Sequence, residues 1–248
     1  MSRFQIIENE NAPSIQVGKM ECDKMFSPLP PEPCPCKSFV WAIVGARGSG
    51  KSTYLRSLLS AKKADSRVYY KVFHSVIVLM PEESRKSMTP NPFKGLPRED
   101  MYETFDDTFM TELEDKLKEN AEEGLFTLVV FDDISNTLRQ NKRLEDRLTR
   151  LVHLSRHFLT SMIFNVQRYK DLNNGIRQNA DMITLFLPSN YQATEAFVNE
   201  YLKEYSKEDV KELFDAVFKK KGDTLLIRKN IIPNKMYRNF EEIADSLK

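Results

Sequence analysis

The chain has 248 residues, with 37 Lys and Arg against 36 Asp and Glu, and 41% of its residues are hydrophobic. That length holds one sizeable α/β domain with small additions, and the interspersed, near-neutral charge excludes a protein that is basic throughout, so any nucleic-acid surface must be local. No apolar stretch reaches the ~20 residues of a membrane span and the polar N-terminus is no signal peptide, so a soluble intracellular protein with no membrane partner is expected.

Residues 1–37 show neither helical nor strand periodicity, and Pro28, Pro30, Pro31, Pro33 and Pro35 favour an extended linker. A flexible tail is expected there, ahead of one domain over 38–248. Cys22, Cys34 and Cys36 all fall in this segment, with no fourth ligand and no nearby histidine, so reduced thiols are expected. The first strand, Phe39–Val44, runs into Gly45-x-x-x-x-Gly50-Lys51-Ser52, and a helix over Thr53–Leu59 leads out. Strand, glycine-rich loop and helix in this order make a P-loop. Glycines let backbone N–H groups turn inward around phosphate oxygens, and the helix presents its positive end to the anion. Gly45, Gly48, Ser49, Gly50, Lys51, Ser52 and Thr53 are therefore the candidate nucleotide-binding residues. Lys51 would reach the β- and γ-phosphates, and the Ser52 hydroxyl would sit on Mg²⁺. The loop does not decide between ATP and GTP.

A second strand is expected at Val72–Leu79, then a polar, proline-punctuated loop over about Glu82–Arg98. A helix over Thr108–Glu122 carries Phe109, Leu113 and Leu117 at helical spacing and stops at Gly124. Leu125–Phe131 reads as a third strand, buried on both faces, and ends in Asp132-Asp133. Leu144, Leu148, Leu151 and Val152 mark an amphipathic helix. Strands at Ser161–Val166 and Met182–Leu187 follow, the first ending in Gln167. From 190 on the chain reads as a helical C-terminal part, with helices over Gln192–Tyr205 and Lys207–Lys219, closed by a strand at Asp223–Arg228. This alternation implies a mainly parallel sheet covered by helices on both faces.

A carboxylate at the end of a buried strand suits a metal opposite Ser52, which assigns Asp132 to Mg²⁺ and leaves Asp133 to orient the attacking water. In such a turn Asp133 could equally serve as a cap. Gln167, at a strand tip beside the P-loop strand, can touch the γ-phosphate. P-loop, acidic pair and polar strand tip together point to the ATPase division in which an extra strand stands between the P-loop strand and the acid-bearing Walker B strand. Two other readings remain: a P-loop kinase acting on a small substrate, and a nucleotide-binding switch with little turnover.

The run "LSRHFLTSMIFNVQRYKDLNNGIRQNADMITLFL" resembles the FtsK and HerA type DNA translocases, where an arginine precedes the sensor strand. The ordered blocks "ARGSGKST", "VVFDDI", "SRHFLTSMIFNVQ" and "IRQNADMITLF" resemble the genome-packaging ATPases of large double-stranded DNA viruses and virophages, in the poxvirus-type branch. The resemblance covers about Phe39–Leu187. It implies a RecA-like P-loop ATPase fold, a homo-oligomeric ring, ATP and Mg²⁺, double-stranded DNA as the cargo and a capsid vertex protein as partner. A place in the cytoplasmic virus factory or the virion goes with it. Lys51 and Ser52 become the phosphate and Mg²⁺ residues, Asp132 the Walker B acid, Asp133 the water-activating acid and Gln167 the sensor. Arg156 becomes the arginine finger acting on a neighbouring subunit, with Arg147, Arg150 and Arg168 as rivals. Many relatives carry Glu at position 133, where this chain has the shorter Asp. Arg139, Lys142, Arg143, Arg168, Lys170 and Arg177 bracket the catalytic strands and are the candidate DNA contacts, by phosphate and without sequence reading.

Overall fold

Apolar runs too short for helices and without polar alternation become strands buried on both faces, and the chain lays down five of them before its sheet turns antiparallel. The computed structural model describes residues 21–63, 67–86, 88–188, 191–229 and 234–244. Its elements are β1 (Val40–Val44), α1 (Lys51–Ser60), β2 (Ser75–Leu79), α2 (Glu82–Lys86), β3 (Met101–Tyr102), α3 (Asp107–Glu122), β4 (Thr127–Asp132), α4 (Ser135–Gln140), α5 (Lys142–Leu154), β5 (Thr160–Val166), α6 (Asn174–Asn179), β6 (Met182–Phe186), α7 (Glu195–Tyr201), α8 (Lys207–Val217), β7 (Thr224–Arg228), β8 (Lys235–Arg238) and β9 (Glu241–Glu242). They form one nine-stranded sheet in the order β3-β2-β4-β5-β1-β6-β7-β8-β9. Pairing is parallel from β3 through β6 and antiparallel from β6 through β9. The expected inserted strand is β5, between β1 and β4.

Side chains of β1 alternate between two cores, as a period of two requires. Val40, Ala42 and Val44 face a layer that includes α3, α5, α6 and α7 through Leu113, Leu148, Ile176 and Phe197. Trp41 and Ile43 face α1 through Leu55 and Leu58, together with Phe26 and Tyr69. The fully buried indole of Trp41 donates to Thr184 Oγ1 at 2.9 Å, which satisfies a hydroxyl that β6 carries into the core.

Helix ends follow local chemistry. The Asp106 carboxylate accepts from Phe109 N–H and starts α3, Gly124 at φ +74° lies just past its end, and Asn141 caps α5. The predicted strand at Val72–Leu79 begins only at Ser75, where pairing with β4 starts; Val72 still belongs to a turn, its N–H donating to Tyr69 O after Lys71 at φ +56°. The stretch expected to be loop over Glu82–Arg98 contains α2, whose buried Arg85 donates to Met80 O, and leads to the two-residue β3. The first C-terminal helix starts at Glu195, and the single final strand expected is followed by β8 and β9.

Of the expected tail, residues 1–20 lie outside the described residues, and Glu21–Lys37 is anchored to the domain. Phe26 is 2% exposed and meets Phe39, Phe73 and Phe126 edge-on, while its N–H donates to Cys36 O. A single anchoring aromatic has no period for sequence reading to detect. The three cysteines are free thiols, and burial pushes the Cys34 thiol up to about 12. Among the described residues no helix is long and apolar enough to cross a membrane.

Candidate active site

β1 ends at Val44, and Gly45 N–H donates to Val166 O at 3.1 Å, tying the loop to β5. A Cβ on Gly45 would stand 2.5 Å from Ser49 Oγ and 2.8 Å from Phe186 Cβ, so only glycine fits there. Gly50, at φ +114°, passes the chain into α1. The first turn of α1, which holds Lys51, Ser52 and Thr53, has no side-chain cap and no acidic residue, leaving its N–H donors to an anion. Ser49 Oγ is buried without a hydrogen-bond partner. Lys51 Nζ lies 2.5 Å from Gly45 O and 3.2 Å from Ala46 O, reaching back over the start of the loop. A narrow cradle with an orphaned hydroxyl and a lysine across its mouth fits a polyphosphate.

β4 and β5 bring the acids to it. Asp132 ends β4 opposite Asn165 of β5. Burial pushes the Asp132 carboxyl up; the neighbouring Asn165 amide and the Lys51 ammonium pull it down, and Asp133 pushes it up again. Burial lowers Lys51, against the pull of Asp132 and Asp133. A lysine and two adjacent carboxylates some eighty positions further along the chain thus feel one another. Asp133 is exposed and sits at φ +57°, a left-handed conformation that swings its side chain out of the strand's alternation. Among the described residues no three Asp, Glu, His or Cys side chains cluster as a closed metal cage. A magnesium ion would be held by Ser52, Asp132 and phosphate oxygens, the sparse oxygen set that ion takes. Asn165 was missed at the sequence level. It is 1% exposed, and neither polar atom of its amide makes a well-aligned hydrogen bond although it adjoins Asp132. Its signal was an amide inside an apolar strand.

Gln167 follows β5 and lines a cavity of about 650 Å³ with Gly45, Ala46 and Phe186. Arg156 lies at the other end of β5, a strand of seven residues and thus roughly 23 Å long. It cannot reach its own chain's P-loop. Its guanidinium is 56% exposed and pairs with Asp23. Of its rivals, Arg147 is engaged by Asp107 and Glu114, and Arg150 is exposed. Each of the DNA candidates has an acidic partner, while Lys142, Arg143, Arg168 and Lys170 stay more than half exposed. Lys142 pairs with Glu145 and Asp146, Arg143 with Asp107, Lys170 with Glu195, and Arg139 and Arg168 both with Asp171. Arg177, 16% exposed, pairs with Glu200 and stacks on the Tyr169 ring, so its side chain is engaged inside the molecule.

A mainly parallel sheet with a strand inserted between the P-loop strand and the acid-bearing strand, and with lysine and carboxylate meeting at their ends, defines a RecA-like P-loop ATPase. The family model described as Poxvirus A32 protein matches residues 35–245, and the chain belongs to that family. No curated protein sequence matches it. Among solved structures, the DNA-packaging ATPase B204 from Sulfolobus Turreted Icosahedral Virus superimposes with a TM-score of 0.59 at 18% identity, over 80% of this chain and 96% of B204. The genome packaging NTPase B204 from Sulfolobus turreted icosahedral virus 2, in complex with ATP-gammaS, gives 0.55 at 18% identity, over 80% and 96%. EssC (ATPases 2 and 3) from Geobacillus thermodenitrificans gives 0.57 at 14% identity, covering 85% of this chain and 40% of EssC.

Proposed function

We propose that this protein is the ATPase of a genome-packaging motor, moving double-stranded viral DNA into a preformed capsid as a homo-oligomeric ring. Membership of the poxvirus A32 family and the packaging role named for the B204 proteins support the reading. The observation that carries it is the convergence of Lys51, Asp132 and Asp133 across β1, β5 and β4, with Arg156 exposed at the far end of the same sheet. Lys51 and the N-terminal N–H groups of α1 hold the ATP phosphates. Asp132 and Ser52 would hold Mg²⁺, which would supply charge neutralisation on the phosphates. Asp133 takes a proton from water as its oxygen attacks the γ-phosphorus; the bond to the β–γ bridging oxygen breaks, giving ADP and phosphate. Gln167 senses the γ-phosphate, and Arg156 of one subunit stabilises the charge developing at its neighbour's site. On this reading the protein works at the virus factory or in the virion, with a capsid vertex protein as its docking partner.

The test is ATP turnover with and without long duplex DNA. Stimulation several-fold by DNA is the expected result. Transfer of the γ-phosphate to a small acceptor would make the protein a kinase, and tight ATP binding with negligible turnover in either condition would make it a switch.

A further inference from the structure

Two arginines that line the cavity beside the start of the phosphate loop share one buried carboxylate, and none of the three takes part in the chemistry above. Arg139 lies on α4, which follows the Asp132-Asp133 pair, and Arg168 directly follows Gln167. Both arginines donate to the Asp171 carboxylate, Arg139 through its terminal nitrogen and Arg168 through Nε at 3.1 Å and its backbone N–H at 3.1 Å. The Asp171 side chain is only 4% exposed, against 47% for Arg139 and 59% for Arg168. One buried carboxylate shared by two half-open guanidiniums leaves a positive charge uncompensated, and the guanidiniums have more N–H donors than Asp171 uses. The adjacent Lys170 contributes no excess, since it pairs with Glu195.

Arg139, Gln167 and Arg168 line the same cavity as Gly45 and Ala46. Lys51 Nζ rests on the carbonyls of those two glycine-loop residues, and the P-loop lysine serves the β- and γ-phosphates. The arginines therefore line the space beside the start of the glycine loop, on the side where Gln167 stands. We propose that Asp171 is a positioning residue that holds Arg139 and Arg168 against the terminal phosphate of the bound nucleotide, where they read nucleotide state and do not grip DNA. This rests on the P-loop being the triphosphate site. Without the Asp171 charge the two like-charged groups would repel each other out of place. The carboxylate also joins the exit of β4 to the exit of β5, so an arginine drawn to the γ-phosphate loosens its hold and shifts the other.

The test is equilibrium binding of ATPγS and of ADP, each with Mg²⁺, to the full chain. Arg139→Ala and Arg168→Ala alter exposed side chains, and each is expected to weaken ATPγS on the order of tenfold while leaving ADP nearly unchanged. Asp171→Asn should lower the ATPγS-to-ADP preference in the same direction, and Asp171→Glu should restore part of it. If Asp171→Asn does not fold, the two arginine variants decide alone. An unchanged preference in both arginine variants overturns the proposal; if their affinity for duplex DNA falls at the same time, the DNA-contact role is reinstated. Lys51→Ala separates this failure from that of the underlying reading. It should lose both nucleotides, and if it binds both as wild type does, the triphosphate site lies elsewhere and the proposal falls with it.

Discussion

Asp132 and Asp133 are neighbours in the chain that meet different physical fates. Asp132 ends a buried strand, where loss of water disfavours its charge and Asn165 and Lys51 offset part of that cost. Asp133 is exposed, one left-handed step out of the strand. A carboxylate held among fixed partners suits a metal, and one facing water suits proton transfer. Asp133→Asn is therefore expected to bind Mg-ATP normally and to lose about 10²-fold or more in turnover, the range for a general base. Asp132→Asn should lose the Mg²⁺ dependence of nucleotide binding. Calorimetric titration with and without Mg²⁺, paired with single-turnover hydrolysis, checks both; equal affinity and equal activity loss in the two variants would merge the roles. At this scale the P-loop and the acid pair were legible because their residue types sit at fixed short spacing. Asn165 was not, because its meaning comes from a strand partner 33 positions away.

The C-terminal strands show how an element is held in place beside the site. Asp223 is buried just ahead of β7 and accepts from Asn239 Nδ2 at 2.8 Å, from the N–H groups of Lys219 and Lys220 at 2.9 Å, and from Arg238. These bonds, the Asn239 amide foremost, hold its carboxyl at about 2, below its ordinary value of 3.8. The turn it pins brings the Gly222 Cα within 4.0 Å of where a Gly50 Cβ would stand, so the strands β7 and β8 buttress the P-loop. A depressed folded value means that this contribution to stability is complete above pH ~4 and lost as pH falls toward 2. Asp223→Asn should melt several degrees below wild type at pH 7, and the gap should narrow as pH is lowered through that window. Thermal melts of both proteins across pH 2–7 check it, and a gap that stays constant would show that charge is not what Asp223 contributes. The sequence placed β7 from its apolar run, yet gave no sign of β8 and β9, whose alternation is too short to register.

At the scale of the molecule, the role proposed for Arg156 is the one that depends on other copies of the chain. The residue stands at the opposite end of β5 from the P-loop, so any phosphate it serves belongs to a neighbour. The exposed pair with Asp23 that holds it is worth about 0–1 kcal/mol and does not impede its release. Arg156→Ala should bind ATP nearly normally and fail to hydrolyse it, since a finger in trans is worth ~10³-fold or more in rate. Mixed with Lys51→Ala in one assembly, it should regain partial ATPase activity, because some interfaces then pair an intact P-loop with an intact arginine. A mixture that stays inactive while mixed assemblies demonstrably form would remove Arg156 from that role.

What the sequence determined by itself is what short spacing and strand burial encode: the phosphate loop, the two acids, the five longer parallel strands and α1, α3 and α5 between them, while the short α2, β3, α4 and α6 left no readable pattern. Only the tertiary structure decided which charges are spoken for. Each of the six basic residues has an acidic partner: Lys142 and Arg168 find theirs within four residues, whereas Arg139, Arg143, Lys170 and Arg177 pair with carboxylates distant in the chain, and Arg139 joins Arg168 on Asp171 because the sheet order brings the ends of β4 and β5 together. The proline-rich segment up to Lys37 is anchored for the same kind of reason. Phe26 finds its pocket among residues from distant parts of the chain, and burial at one point leaves no periodic trace in the sequence.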